Sequence, residues 1–238
     1  MKIALIGYGK MGKAIETIAL NKGHEIVLKI DIQNNQDFTE AALQKADVAI
    51  EFSTPESAIE NIEHCLQVGI PLVCGTTGWT NALPQIQARC TALNGAMVYA
   101  SNFSIGVNLF FELNTKLAAL MANQTQYEVI LEEIHHTQKK DAPSGTALTL
   151  ATQILAYNKK KKQWVNDISD NPEDLEIISQ RIDPTPGTHS VKYASVVDDI
   201  EIIHTAHNRT GFAAGAVLAA TFIKEKKGIY TMKDVLGL

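Results

Sequence analysis

A chain of 238 residues with 45% apolar side chains can form one large or two small globular domains, and a formal net charge of −5 gives no general electrostatic support to nucleic-acid binding. The cysteines Cys65, Cys74 and Cys90 show neither paired metal-ligand spacing nor a disulfide framework, so no metal site is expected and a reducing compartment fits. No apolar run reaches membrane-spanning length and no signal-like segment precedes the first strand-like run, so the expected setting is the cytoplasm, without membrane or nucleic-acid partners.

Ile3 to Ile6 is a short apolar run that reads as a strand, and Gly7-Tyr8-Gly9-Lys10-Met11-Gly12 follows at once. A helical pattern with Ile15, Ile18 and Ala19 on one side comes next, then a second strand, Ile26 to Ile30, ending at Asp31. In this order each glycine has its own use. Gly7 permits a tight turn, Gly9 lets backbone approach a pyrophosphate, and Gly12 lets helix and strand pack closely, while Asp31 stands where a carboxylate accepts from ribose hydroxyls. A bare GxGxxG also serves plain turns, but its place after one strand and before a helix points to dinucleotide binding by Gly7, Tyr8, Gly9, Lys10, Met11, Gly12 and Asp31. A carboxylate repels a 2′-phosphate, and neither Ile32 nor Gln33 is positive. NADH is therefore the expected cofactor, and NADPH would depend on help from Lys10 or Lys29.

Asp47 to Phe52 reads as a third strand, followed by a helix to about Val68 with Thr54 as N-cap and Pro55 at its first position. A fourth strand, Ile70 to Cys74, ends in Gly75-Thr76-Thr77-Gly78. Such a loop at a strand's carboxyl end is either a ligand contact of an open α/β sheet or a plain turn. A helix over Leu83 to Cys90 and a strand over Ala96 to Tyr99 lead to Ala100-Ser101-Asn102-Phe103-Ser104 and a helix through roughly Met121. Asn102 either offers its amide to a nicotinamide or shapes a turn, and Phe103 either packs near the cofactor or belongs to the core.

The alternation then stops. Tyr127 to Ile134, Leu175 to Ile182, Ser190 to Val197 and Asp199 to Ala206 look like strands, with one helix from about Ser144 to Tyr157 among them. Lys159 to Lys162 reads as a solvated helix end, Asp183 to His189 as a stiff turn, and Val197-Asp198-Asp199 as a hairpin tip. Gly211 to Lys224 returns to helix, with Gly215 inside it at a cost of about 1 kcal/mol unless close packing needs it. The fold class expected is α/β. A Rossmann-like dinucleotide-binding domain, residues 1–104 plus 208–238, would carry an inserted α+β mixed-sheet domain, residues 105–207.

The densest chemistry lies between the first strand of that insertion and its helix. Two histidines, His135 and His136, and two lysines, Lys139 and Lys140, precede Asp141-Ala142-Pro143-Ser144-Gly145-Thr146. With Pro143 in the helix's first turn, the amides of Ser144, Gly145 and Thr146 would be free at its positive end, and Ser144 and Thr146 add hydroxyls. Proton donors beside an anion cradle suggest chemistry on a carboxylate or phosphate substrate; the plainer alternative is a charged surface loop before a capped helix.

Over essentially its full length the chain resembles the 4-hydroxy-tetrahydrodipicolinate (dihydrodipicolinate) reductase family. His135 to Ala147 matches the specific pattern HHxxKxDAPSGTA, supported by Gly75-Thr76-Thr77-Gly78, Asn102-Phe103-Ser104, Gly187-Thr188-His189 and His204 to Arg209. The resemblance implies a cytoplasmic NAD(P)H-dependent oxidoreductase of lysine and diaminopimelate biosynthesis, acting on a small dicarboxylate. It implies catalytic roles for His135 and Lys139, with Lys139 the proton donor, and substrate contacts from His136, Gly145 and Thr146; by their own chemistry Ser144 suits the same carboxylate and Arg209 the substrate's other end. It also implies cofactor contacts along Gly75, Thr76, Thr77, Ala100, Ser101, Asn102 and Phe103, and a homotetramer built through the sheet of the second, substrate-binding domain. Many members carry an arginine where this chain has Ile32, which again disfavours NADPH. The alternatives are another two-domain NAD-dependent amino-acid or sugar dehydrogenase, which would make the DAPSGTA segment a coincidence, and a non-catalytic NAD(H)-sensing regulator, for which no basic DNA-binding helix is present.

Overall fold

The computed structural model describes residues 1–208 and 210–238. Its chain divides into two compact units, Met1–Ile105 with Thr210–Leu238, and Gly106–Arg209. Among the described residues no helix is long and apolar enough to cross a membrane.

The first unit is a doubly wound sheet. Its elements in chain order are β1 (Lys2–Ile6), α1 (Lys10–Asn21), β2 (Glu25–Ile30), α2 (Glu40–Leu43), β3 (Val48–Glu51), α3 (Pro55–Val68), β4 (Leu72–Cys74), α4 (Leu83–Ala92) and β5 (Ala96–Tyr99). The chain leaves through α5 (Ile105–Met121) and returns as α7 (Thr210–Ile223), β11 (Gly228–Tyr230) and α8 (Met232–Leu236). All six strands run parallel in the order β11-β5-β4-β3-β1-β2. The strands are buried on both faces. Ile3, Leu5, Ile50 and Val73 face the layer of α1 and α7, while Ala4, Ile6, Ala49 and Leu72 face that of α3 and α4. Continuous apolar runs are what a sheet covered on both sides requires. The order reverses between β1 and β3, so the loops after them flank the switch point at which such sheets bind ligands.

The second unit holds β6 (Glu128–His135), α6 (Gly145–Tyr157), β7 (Gln163–Val165), β8 (Asp174–Arg181), β9 (Gly187–Ala194) and β10 (Asp199–Ala206). They form a mixed five-stranded sheet in the order β10-β9-β6-β8-β7. The β10-β9 and β9-β6 pairs are antiparallel, and β6-β8 and β8-β7 are parallel. Phe110 and Met121 of α5, with Ala147, Leu150 and Ile154 of α6, close one core with Val129, Leu131, Ile177 and Val191 of the sheet. Along β6 the buried positions alternate as Val129, Leu131, Glu133 and His135. The strand's own period thus carries a carboxylate and a histidine to the helix-covered side.

Several sequence-based boundaries change. β6 extends through His135, so that histidine is a strand residue rather than part of the following loop. β9 begins at Gly187 and ends at Ala194; Gly187 to His189 is ladder, not turn, because its partners on β6 and β10 are supplied from far along the chain. The hairpin turn is tied by Ser195, whose hydroxyl accepts the amides of Val197 and Asp198 at 3.1 Å each. Lys161 is not a solvated helix end. The helix stops at Tyr157, and Lys161 is buried with its ammonium 3.2 Å from Glu128.

Candidate active site

The cofactor side is built first by glycines. Gly7 has φ +90°, donates its amide to Ile30 at 2.9 Å, and leaves no room for a side chain, since a Cβ would overlap the Phe52 carbonyl oxygen across the switch point. A Cβ at Gly12 would overlap the Gly7 carbonyl, so α1 sits hard against the loop. Gly9 differs: a Cβ there would meet nothing within 4 Å, and it is the N-cap of α1, with no side-chain cap and no acid in the first turn. An uncapped helix N-terminus open to space fits a pyrophosphate. Gly7, Tyr8, Gly9 and Asp31 line one open cavity of about 1070 Å³, with Phe38, Phe52 and Asn61. Lys10, Met11 and Gly12 begin α1 and are not among the residues that line this cavity.

Asp31 is exposed, and its carboxylate accepts the Gln33 amide at 2.8 Å, which turns the chain sharply at the end of β2. Ile32 beside it is 94% exposed and brings no charge. Lys29 is spoken for: its ammonium lies 3.1 Å from Glu16 and 5.0 Å from the centre of the Tyr8 ring. The lysine among the residues that line the cavity is Lys13, which the glycine-loop pattern alone did not single out.

The remaining cofactor candidates sit where parallel strands end. Thr76 is buried and accepts the Ser53 amide at 2.8 Å, joining the loops after β4 and β3, while Gly75 and Thr77 complete that loop. Ala100, Ser101 and Asn102 follow β5; Asn102 accepts the Ser104 amide at 2.8 Å, a turn-forming bond. Phe103 is core, 2% exposed, with its ring 5.6 Å from that of Phe52.

In the second unit His135, Ser144 and, through Arg181, the Lys139 loop come together around Glu133, which the sequence did not single out. Glu133 is fully buried. Its two oxygens accept the Ser144 amide at 3.1 Å each, and it also accepts from the Ser179 hydroxyl at 2.8 Å and from Arg181 at 3.3 Å. His135 Nδ1 and His189 Nε2 each stand 3.6 Å from it. Burial opposes ionisation of Glu133, but hydrogen bonds from His189, Ser144 and Ser179 outweigh it and hold the carboxyl well below the usual carboxylate range. A signal was available: strand period alone places Glu133 inward, and an inward carboxylate needs donors.

His135 is buried and packs edge-on against His189 at 5.0 Å. Burial, together with His189 and the cations Lys139 and Arg181, pushes its imidazole down to about 4 against the opposing pull of Glu133, so it is neutral at neutral pH. His136 is half-buried at the strand's end, and its carbonyl accepts the Lys139 amide at 3.1 Å. The Lys139 ammonium donates to both Asp141 oxygens at 2.8 Å, while Arg181 straps the same loop by donating to the carbonyls of Lys139 at 3.3 Å and Asp141 at 2.6 Å.

The anion cradle is narrower than its sequence suggests. Pro143 lies outside the helix, before the N-cap, joined to Ala142 by a cis peptide. Ser144 is itself the N-cap: its amide is taken by Glu133, and its hydroxyl accepts the Ala147 amide at 3.2 Å and meets His189 at 3.1 Å. Its amide is therefore not free. Among the described residues, the amides of Gly145 and Thr146 and the Thr146 hydroxyl make no hydrogen bond, and this pair is left to receive an anion. Arg209 lies outside the described residues. Glu133, His135 and His189 also present ligand atoms within 4.8 Å of one another. Arg181 already compensates the carboxylate and donors occupy its oxygens, so the group works as a hydrogen-bond network.

A parallel dinucleotide-binding sheet with an open glycine cradle, in a chain whose mixed-sheet unit joins histidines and a lysine to a free helix N-terminus, defines a two-domain nicotinamide oxidoreductase. The family models described as "Dihydrodipicolinate reductase, N-terminus" and "Dihydrodipicolinate reductase, C-terminus" match residues 1–103 and 106–236. The chain belongs to the dihydrodipicolinate reductase family, and it is an NAD(P)H-dependent oxidoreductase. A 4-hydroxy-tetrahydrodipicolinate reductase of Christiangramia forsetii is 52% identical over 100% of this chain and 98% of its own length. One of Neisseria gonorrhoeae is 35% identical over 94% and 84%. Among solved structures, a dipicolinate-bound dihydrodipicolinate reductase from Paenisporosarcina sp. TG-14 superposes with a TM-score of 0.77 at 25% identity, covering 97% of both chains.

Proposed function

We propose that Lys139 is the proton donor in the reaction of this family member, the NAD(P)H-dependent reduction of 4-hydroxy-tetrahydrodipicolinate to tetrahydrodipicolinate in lysine and diaminopimelate biosynthesis. Once the 4-hydroxyl has left as water, the ring holds a double bond conjugated with the imine, and the reduced nicotinamide, when bound, would supply hydride to its far carbon. The substrate then needs a proton at the neighbouring carbon. The observation that carries the assignment is a division of protonation: His135 is neutral at working pH, whereas Lys139, four residues on, offers an ammonium held at the same loop by Asp141. His135 serves as acceptor and hydrogen-bond partner to substrate, and His136 and Arg209 engage the far carboxylate.

Gly145 and Thr146 take the near carboxylate through their free amides and the Thr146 hydroxyl. Thr146→Val keeps shape but removes a donor, so KM for the dicarboxylate should rise by about 3- to 10-fold while NADH affinity holds. A loss confined to NADH binding, read by titration, would reassign the cradle to the cofactor.

For the cofactor we take NADH as preferred. Asp31 accepts ribose hydroxyls and repels a 2′-phosphate, Ile32 offers no compensation, and Lys29 is held by Glu16 and Tyr8. The expected ratio of kcat/KM is roughly 3- to 100-fold in favour of NADH, about 1–3 kcal/mol. Asp31→Ser with Ile32→Arg should move the preference toward NADPH. Steady-state rates with both cofactors decide it, and a clear NADPH preference in the unmodified enzyme would place Asp31 outside the ribose site. The reading also takes a homotetramer built through the mixed sheet. Its support is the sheet face away from α5 and α6, where Ile130, Ile134 and Ile178 are half-buried and Ile203 is 59% exposed.

A further inference from the structure

We infer that Glu133 is a positioning residue for the reduction: it fixes the tautomer of His135 and, with Arg181, sets the geometry of the Lys139 loop and the Gly145–Thr146 cradle. The inference rests on the roles proposed above for His135 and Lys139.

Glu133 stands two residues before His135 on the same strand face, so its carboxylate looks along the strand at the imidazole's inner nitrogen. That nitrogen, Nδ1, is buried and makes no hydrogen bond among the described residues, and the group nearest it in charge, the acceptor-only Glu133 carboxylate, lies 3.6 Å away. An ionised carboxylate favours a proton on Nδ1, which leaves the lone pair on Nε2. Nε2 points toward Gly187 of β9, where a Cβ would stand only 3.1 Å away. The absence of a side chain at Gly187 keeps that nitrogen accessible.

The same carboxylate is the point where three elements meet. Through the Ser144 amide it holds the N-cap of α6, and hence the direction in which the Gly145 and Thr146 amides aim. Through Arg181 on β8 it reaches the backbone of Lys139 and Asp141, because one guanidinium bonds Glu133 and both carbonyls. The groups facing His135 from every packed element are then Glu133, His189, Lys139 and Arg181, and Glu133 is the one anion among them. A single buried charge thus sets the positions of the proton acceptor, the proton donor and the anion cradle.

The test pairs nitrogen-15 NMR of the imidazole with kinetics. In the unmodified enzyme the neutral His135, assigned by its loss in His135→Gln, should be the Nδ1–H tautomer. In Glu133→Gln it should shift toward Nε2–H, kcat should fall by about tenfold or more, KM for the dicarboxylate should rise, and KM for NADH should stay within about twofold. An Nε2–H tautomer in the unmodified enzyme, or an unchanged kcat in Glu133→Gln, overturns the inference. Arg181→Lys covers the case in which Glu133→Gln does not fold. It keeps the charge but loses the fork to the two carbonyls, so kcat should fall while the His135 tautomer holds; an unchanged kcat there overturns the Arg181 strap. His135→Gln separates this inference from the reading beneath it, since full turnover in that variant would remove the catalytic role of His135 whatever its tautomer.

Discussion

Lys139→Ala should lower kcat by about 100-fold or more, the usual range for a positioned acid, with KM for NADH changed by less than about twofold. The reason lies in what remains when the ammonium is gone. His135 is pushed down to about 4, so near neutral pH it carries no surplus proton to donate. His136 follows the strand, its carbonyl accepts the Lys139 amide at 3.1 Å, and the acid it interacts with is Asp183, not Asp141. Lys140 is exposed, whereas the Lys139 carbonyl is strapped by Arg181 and its ammonium is held by both Asp141 oxygens. Folding should survive the change, because the Lys139–Asp141 pair is half-exposed and such pairs contribute little. Stopped-flow and steady-state rates with freshly generated substrate check the outcome. Near-normal turnover in a folded Lys139→Ala enzyme would move the proton donor elsewhere.

The legible and illegible parts of this chain divide by sequence distance. The strand, glycine loop, helix and strand at the N-terminus were readable because each of their signals is local: a buried run such as Ile3 to Ile6, then glycines whose backbone demands appear as φ and clearance. The helix of Pro55–Val68, with Thr54 before it and Gly69 in the left-handed region after it, was readable for the same reason. β7, β11, α2 and α8 are too short to carry a period, and they exist because neighbouring elements pair with or pack on them. β9 was displaced because Pro184, Pro186 and Gly187 look like a turn, while the partners that make Gly187 to His189 a strand lie on β6 and β10. Of the candidate site, His135, Lys139 and the Gly145–Thr146 pair are proposed from one contiguous segment. Arg181 is not, since its bond to Glu133 spans 48 residues. The Ser144 amide was misjudged for the same reason: its acceptor sits on the preceding strand, eleven residues back.

Gly215→Ala should cost roughly 3 kcal/mol of stability and lower Tm by about 6–12 °C. On helix propensity alone the change would gain about 1 kcal/mol, so the prediction runs against the local rule. Gly215 is buried in α7, and a Cβ there would overlap the Phe103 carbonyl oxygen and stand 2.9 Å from its carbon. The obstacle is backbone, which cannot rotate away as a side-chain tip does. Phe103 cannot retreat either, since it is core and packs on Phe52, whose own carbonyl closes against Gly7. The strain therefore runs from α7 through Phe103 to the glycine loop, and the same variant should weaken NADH binding without touching a residue of the dicarboxylate site. Gly9→Ala is the contrasting case. Its Cβ would enter open space at the N-cap of α1, so stability should change by less than about 1 kcal/mol while KM for NADH rises if that space receives the pyrophosphate, as we propose. Thermal unfolding and NADH titration of the two variants separate a glycine needed for packing from one needed for ligand approach. Equal Tm for Gly215→Ala and the unmodified enzyme would mean that α7 can slide on the sheet, and unchanged NADH affinity in Gly9→Ala would move the pyrophosphate away from this helix.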